Sequence, residues 1–212
     1  MCWNSEVSMN TFIFSMFVLI MIIYNNNYTQ YKIKDIGFYE YMFFFSFIIM
    51  QLNEFFLWKT IDNSFYNQLF SITGSIILLL QPIASIFLIK NVLLRNKLLY
   101  AYLLLSIPYS IYKFSTKKIH TKISPLKHLN WDYFSLSPLL LSGWFFFLLI
   151  GGFYEKKWTF LFFGISTVLI SYYYYIQDET NSSMWCWSLN SIMIYYAAYL
   201  LLYLPFKERI QM

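Results

Sequence analysis

A chain of 212 residues that is 59% hydrophobic, 24% aromatic and 12% charged falls well below the ~25% charged content of ordinary soluble domains. Its apolar residues come in runs of about 20, the length that crosses ~30 Å of hydrocarbon at ~1.5 Å per residue. The net charge of +5 includes only two arginines, Arg95 and Arg209, and its cations lie between the apolar runs as topology signals, so there is no nucleic-acid footprint.

Seven apolar segments follow in chain order. The first covers about 10–24, NTFIFSMFVLIMIIY. Before it, MCWNSEVSMN has no basic n-region and no small-residue cleavage site follows, so the segment is expected to stay as a helix. The second covers about 36–58 and ends in MQLNEFFLW; the third, about 66–89, contains LLLQPIAS. The fourth covers about 98–114, the fifth about 136–154, the sixth about 158–176 and the seventh about 184–206. All are expected to be helices, because backbone facing lipid must satisfy its own hydrogen bonds, and none alternates polar and apolar as a barrel strand does. The expected fold is an all-α membrane protein, a seven-transmembrane-helix bundle forming one domain over residues 1–212 with the lipid bilayer as its partner. Dropping the first or fourth segment, the two shortest, gives six crossings.

Most connections are short, which makes successive helices neighbours. The longer one, about 115–133, includes KKIHTKI, whose alternation allows a short hairpin that Pro125 interrupts. With the N-terminus outside, the inner loops hold Lys32, Lys34, Lys90, Arg95, Lys97, Lys156, Lys157, Lys207 and Arg209. The outer loops hold Lys59, Lys113, Lys117, Lys118, Lys122 and Lys127, mostly in that one long loop. An outside or lumenal N-terminus is therefore favoured.

Seven crossings put the N-terminus, the end of the second helix, the long loop and the start of the seventh helix on one face. That face collects Cys2, Trp3, Gln51, Asn53, Glu54, Trp58, Trp131, Asp132, Trp185, Cys186, Trp187 and Asn190. Tryptophan is enriched at both membrane interfaces, and a plain aromatic belt predicts a more even split than six of seven tryptophans on one side, the count once Trp144 in the outer half of the fifth segment is included. Glu54 lies about one turn inside the second segment, with Gln51 and Trp58 on its side of the helix. An ionisable group within a membrane segment turns to the bundle interior or a wet cavity and marks a functional site; a snorkelling interfacial carboxylate is the competing reading. Gln81 precedes Pro82, and either satisfies the carbonyl that the proline frees or faces a polar cavity. The two cysteines, Cys2 and Cys186, allow one disulfide in an oxidising compartment. His120 and His128 form no metal-ligand pattern, and neither metal nor cofactor is expected. The seventh segment has no lysine for a retinal Schiff base.

These residues give the chain a likeness to known proteins. MCWNSEVS at the start, the Gln51–Trp58 stretch QLNEFFLW, Leu80-Gln81-Pro82, and Trp185-Cys186-Trp187 followed by Asn190 resemble the pattern of a family of uncharacterised multipass membrane proteins with members in bacteria and in large DNA viruses. The resemblance implies an integral membrane protein of about seven helices, cellular or viral, and no particular reaction. The stretch 113–127 departs from it.

Three functional readings stay open. In the first, Glu54, Gln51, Gln81, Trp58, Trp185, Trp187 and Asn190 form a polar, tryptophan-rich pocket that binds a small ligand or ion for transport or sensing. In the second, the chain is a structural or interaction protein of a cellular or viral membrane. In the third it is an intramembrane enzyme with Glu54 as acid or base. The first requires a cavity that reaches Glu54 from one face, and a Glu54 that faced the headgroups would remove both the first and the third.

Overall fold

A computed structural model describes residues 4–30, 32–134 and 136–211. The architecture is all-α apart from one small hairpin. The elements are α1 (Ser5–Tyr28), α2 (Phe38–Lys59), α3 (Ser64–Phe87) and α4 (Val92–Thr116), then strands β1 (Thr121–Ile123) and β2 (Leu129–Trp131), then α5 (Pro138–Tyr154) and α6 (Trp158–Tyr175). The last apolar run is not the single helix expected. It divides into α7 (Asn181–Leu189), α8 (Ser191–Ala198), a π-helical stretch Tyr199–Tyr203 and α9 (Leu204–Gln211).

Side-chain caps explain where the helices begin. Asn4, Asn63, Asn91 and Ser137 each accept a backbone N–H three residues on, from Val7, Tyr66, Leu94 and Leu140, which satisfies donors that the first turn leaves orphaned. These caps carry α1 and α4 further toward the N-terminus than their apolar runs suggest. At its other end α1 continues through Asn25–Asn27, because the Thr29 hydroxyl donates to the Asn25 carbonyl and the Asn27 amide to that of Ile23.

Four helical runs are long and apolar enough to cross a membrane: Ser5–Tyr28, Phe38–Lys59, Ser64–Phe87 and Asn181–Lys207. Pro138–Tyr154 is apolar but shorter. The four are fewer than the seven crossings expected. α4 carries Arg95, Asn96 and Lys97 in its first two turns, and α6 ends on four tyrosines, which lowers the mean hydropathy of both.

The connections gather at two ends of the bundle. At one end Lys157 pairs with Glu40 at 2.7 Å and donates to the Asp35 carbonyl, while Glu155 accepts the Lys90 backbone N–H at 2.8 Å. At the other end the hairpin packs over the helices, its strands antiparallel with Thr121 opposite Trp131. Asn67 of α3 holds it: its amide donates to the Thr121 carbonyl and its side-chain oxygen accepts the Thr121 N–H, both at 3.0 Å. Ser183 of α7 donates to the Leu129 carbonyl at 2.7 Å. The hairpin that the alternation allowed therefore forms, and Pro125 sits in its turn. Asp132 accepts from Lys122 at 2.8 Å and holds that ammonium above its usual pKa, whereas burial, with Lys118 nearby, lowers that of His120.

α2 and α3 lie side by side at the centre, and α5 crosses α3 closely. Pro82 supplies no N–H to the Leu78 carbonyl four residues earlier. The Trp144 indole of α5 donates to that carbonyl instead, at 3.0 Å, so Gln81 does not perform this task. Beside it, the Tyr102 hydroxyl of α4 donates to the Leu79 carbonyl at 2.9 Å. Trp144→Phe keeps an aromatic ring and orphans the Leu78 carbonyl, a buried loss of about 1–3 kcal/mol. The expected result is a matching fall in thermal stability in detergent; no fall would mean that the carbonyl finds another donor.

Candidate functional site

The interior between α2 and α3 is polar at its middle. On α2, Gln51 and Glu54 are fully buried and Asn53 nearly so. Spaced by three, Gln51 and Glu54 share a face. α3 buries small residues, Ser71, Gly74, Ser75 and Ser85, and the fully buried Gln81; Gly74 meets Asn53, whereas Ser85 packs on Gly151 of α5. Small side chains at helical spacing let the two backbones approach. A Cβ placed on Gly74 would stand 2.9 Å from the Asn53 amide nitrogen and 2.5 Å from the Tyr133 hydroxyl. Asn53 and Tyr133 thus converge on that glycine.

Gln81 donates to the Ser46 carbonyl at 3.3 Å, and its side chain lies beside the Cys186 thiol of α7. Glu54 lies within electrostatic reach of the same thiol. Glu54, Gln81 and Cys186 therefore meet in one buried region, with Gln51 one helical turn from Glu54. Glu54 faces the interior rather than the headgroups, which removes the snorkelling reading. Cys186 carries a free, buried thiol; Cys2 and Trp3 lie outside the described residues, and so does the disulfide expected between the two cysteines.

The remaining expected site residues point elsewhere. The Asn190 amide caps its own chain, donating to the Cys186 carbonyl at 2.9 Å where α7 gives way to α8. The Trp185 indole turns to α6, donating to Thr167 Oγ1 at 3.1 Å. Its ring lies in an aromatic cluster with Phe47, Trp144 and Phe145. The Trp187 indole donates to Thr11 Oγ1 of α1 at 3.0 Å. Trp58 is half-buried near the end of α2. Trp185 and Trp187 thus bind helices to one another, whereas the Trp58 indole nitrogen is buried with no hydrogen-bond partner among the described residues, one turn along α2 from Glu54.

The buried amides distinguish this region from ordinary packing. Neither side-chain atom of Gln51 or Asn53 has a hydrogen-bond partner among the described residues, and the Ser15 and Ser85 hydroxyls lack one too. Buried polar atoms are satisfied in the great majority of cases. Sequence reading put Asn53 on this face without giving it a role, and Tyr133 carried no signal, because only the hairpin's packing brings it to Gly74. Among the described residues no group of three or more His, Cys, Asp or Glu side chains could hold a metal ion.

The fold is thus an all-α bundle with a polar interior and four runs of membrane-crossing length. No family model matches the chain, and no curated protein or solved structure matches it.

Proposed function

We propose that the chain is a multipass integral membrane protein with seven crossings, which binds a small ligand or ion at the polar region around Glu54 for transport or sensing. The carrying observation is the pair Gln51 and Asn53. Two fully functional amides without protein partners cost about 1–3 kcal/mol for each unsatisfied group. A polar guest bound between α2 and α3 offsets that cost. Amide oxygens together with one carboxylate favour a small cation or a hydrogen-bonding solute, and a carboxylate within a membrane segment is the usual mark of such a path.

Support for the additional crossings comes from length: 17 residues in α5 and 18 in α6 extend to about 26–27 Å, close to the thinner cellular bilayers. Support for an outside N-terminus comes from the end where Lys90, Lys156 and Lys157 gather, since lysine-rich ends favour the inside. The residues behind the likeness to the uncharacterised multipass family, Gln51, Asn53, Glu54, Gln81 and Cys186, are those of this polar region, and membership of that family is part of the same proposal.

The test is thermal unfolding of the detergent-purified protein titrated with sodium, potassium or choline chloride, and across pH for the proton. A bound cation at a hundred times its Kd adds about 2.7 kcal/mol. Glu54→Gln, with helix content unchanged, is expected to lose that dependence. If Gln51→Leu and Asn53→Leu simply stabilise the protein and every cation response persists, the reading fails.

A further inference from the structure

The polar region around Glu54 lies much nearer one end of the bundle than the other. Along α2, Glu54 stands about 7.5 Å from the end at Lys59 and about 24 Å from the start at Phe38. Cys186 stands about 7.5 Å into α7 from Asn181. Both near ends are those over which the hairpin packs. The two directions out of the region also differ in chemistry. Toward Phe38, α2 buries Phe43, Phe44, Phe47 and Ile48. The Phe43 ring meets those of Phe47 and Phe160 edge-on, with centroids 5.1 and 4.5 Å apart, and the buried Ser46 hydroxyl is spent on the Phe43 carbonyl. Toward the hairpin the interior is polar. Asn53, Trp58 and Trp131 each carry a buried donor with no hydrogen-bond partner among the described residues, and α3 adds Asn67, Ser71, Gly74 and Ser75. A polar guest loses its hydrogen bonds in the first direction and keeps partners in the second, a difference of several kcal/mol in general.

What stands between the region and that end is the hairpin. Leu129, Trp131 and Tyr133 are buried against the helices, and Tyr133 meets Asn53 at Gly74. The base and the tip of the hairpin are held differently. At the base, the nearly buried Lys113 at the end of α4 donates to the Tyr133 carbonyl, and Asn67 grips the backbone of Thr121 on both sides. At the tip, the Ser124 hydroxyl donates to the Asp178 carboxylate, which also accepts from Thr180. The Asn130 amide donates to Glu179 at 3.3 Å, and Ser183 donates to the Leu129 carbonyl at 2.7 Å. Each strand has three residues, and a two-stranded hairpin of that size does not hold a position unaided. Its place over the region depends on these pins.

We propose that the hairpin is a hinged cover over the Glu54 region: it swings on its base at Lys113 and Asn67, its tip leaves Asp178, Glu179 and Ser183, and guests enter and leave at this end rather than past Phe43 and Phe47. The inference rests on the reading of the Glu54 region as a binding site and assumes nothing about which guest it takes. Cys186 is a built-in reporter of the opening. It lies one turn beyond Ser183, and with Cys2→Ser it is the sole thiol of the chain.

The test is alkylation of Cys186 by N-ethylmaleimide in the purified full chain in detergent, followed by mass with no ligand added. A buried thiol reacts in proportion to the open fraction when opening is fast. Asp178→Ala is expected to raise the rate at least about tenfold, the scale of hydrogen bonds to a charged group, and Ser183→Ala about fivefold. Asn130→Ala, which frees the tip from Glu179 at an exposed position, stands in should either lose helix content. Lys157→Ala breaks the ion pair with Glu40 at the opposite end and is expected to leave the rate within about twofold. In a chain whose sole thiol is Ile48→Cys, on the far side of Glu54, Asp178→Ala is expected to give no acceleration. Equal acceleration by Lys157→Ala, acceleration at Ile48→Cys, or none by Asp178→Ala and Asn130→Ala in chains of normal helix content overturns the cover. The cation titration reads the site separately. Faster labelling without a cation response keeps the cover and removes the cation, whereas a cation response without faster labelling keeps the site and removes the cover.

Discussion

Gly151→Ala is expected to lower stability by about 3 kcal/mol or more, the upper range for overpacking. A Cβ on Gly151 would stand 1.9 Å from the Ser85 carbonyl oxygen and 2.8 Å from its carbon. Those are backbone atoms of α3 and cannot rotate aside, so the two helices must part. The same crossing carries the indole–carbonyl bond from Trp144 to Leu78, which stretches as the axes separate. Thermal unfolding in detergent reads the loss. Gly143→Ala is the control, because its new methyl meets nothing within 4 Å; there the higher helix propensity of alanine gives a neutral or slightly stabilising change of up to about 1 kcal/mol. Equal effects at the two glycines would mean that α3 and α5 are not in contact at Ser85.

Trp185→Ala is expected to cost about 3–5 kcal/mol, the range for removing a large buried aromatic. Trp185 of α7 is nearly fully buried, and its edge contacts reach Phe47 of α2 at 6.0 Å and Trp144 and Phe145 of α5 at 5.7 and 5.3 Å between ring centroids. With its bond to Thr167 of α6, one side chain joins four helices. Trp185→Phe keeps most of the ring packing and loses the hydrogen bond, so it is expected to cost about 1–2 kcal/mol. Trp158→Ala, at a position 63% exposed, is expected to fall within about 0.5 kcal/mol of the parent. Equal losses at Trp185 and Trp158 would remove Trp185 from the core.

The helices were legible because apolar runs and their polar punctuation sit in the chain itself. Their ends were less so: Asn4 and Asn91 extend α1 and α4 past the apolar runs, and a cap depends on which backbone groups the first turn exposes. The break at Asn190 was hidden inside a continuous apolar run. At the candidate site, the burial of Glu54 followed from the cost of placing a carboxylate in lipid. Its neighbours followed less well. Tryptophan reads as an interface residue or as a pocket wall, whereas Trp144, Trp185 and Trp187 each spend their one donor on another helix. Which helix receives it depends on crossing geometry that no single segment encodes. Tyr133 and Lys113 were missed as interior groups for the same reason, since each reads as loop or topology signal until the hairpin is laid over the bundle.

The Pro82–Trp144 pairing also bears on the order of assembly. α3 emerges from synthesis with one rung of its ladder missing, and the donor that fills it belongs to a residue 66 positions later than the carbonyl it serves. Until α5 arrives, that carbonyl faces either hydrocarbon, at a cost of several kcal/mol, or whatever polar group of α2 is near. Helix insertion followed by lateral association is the general two-stage order for membrane bundles. Here the second stage completes the hydrogen bonding of a helix laid down in the first, so α3 reaches its final form only as a member of the assembled bundle.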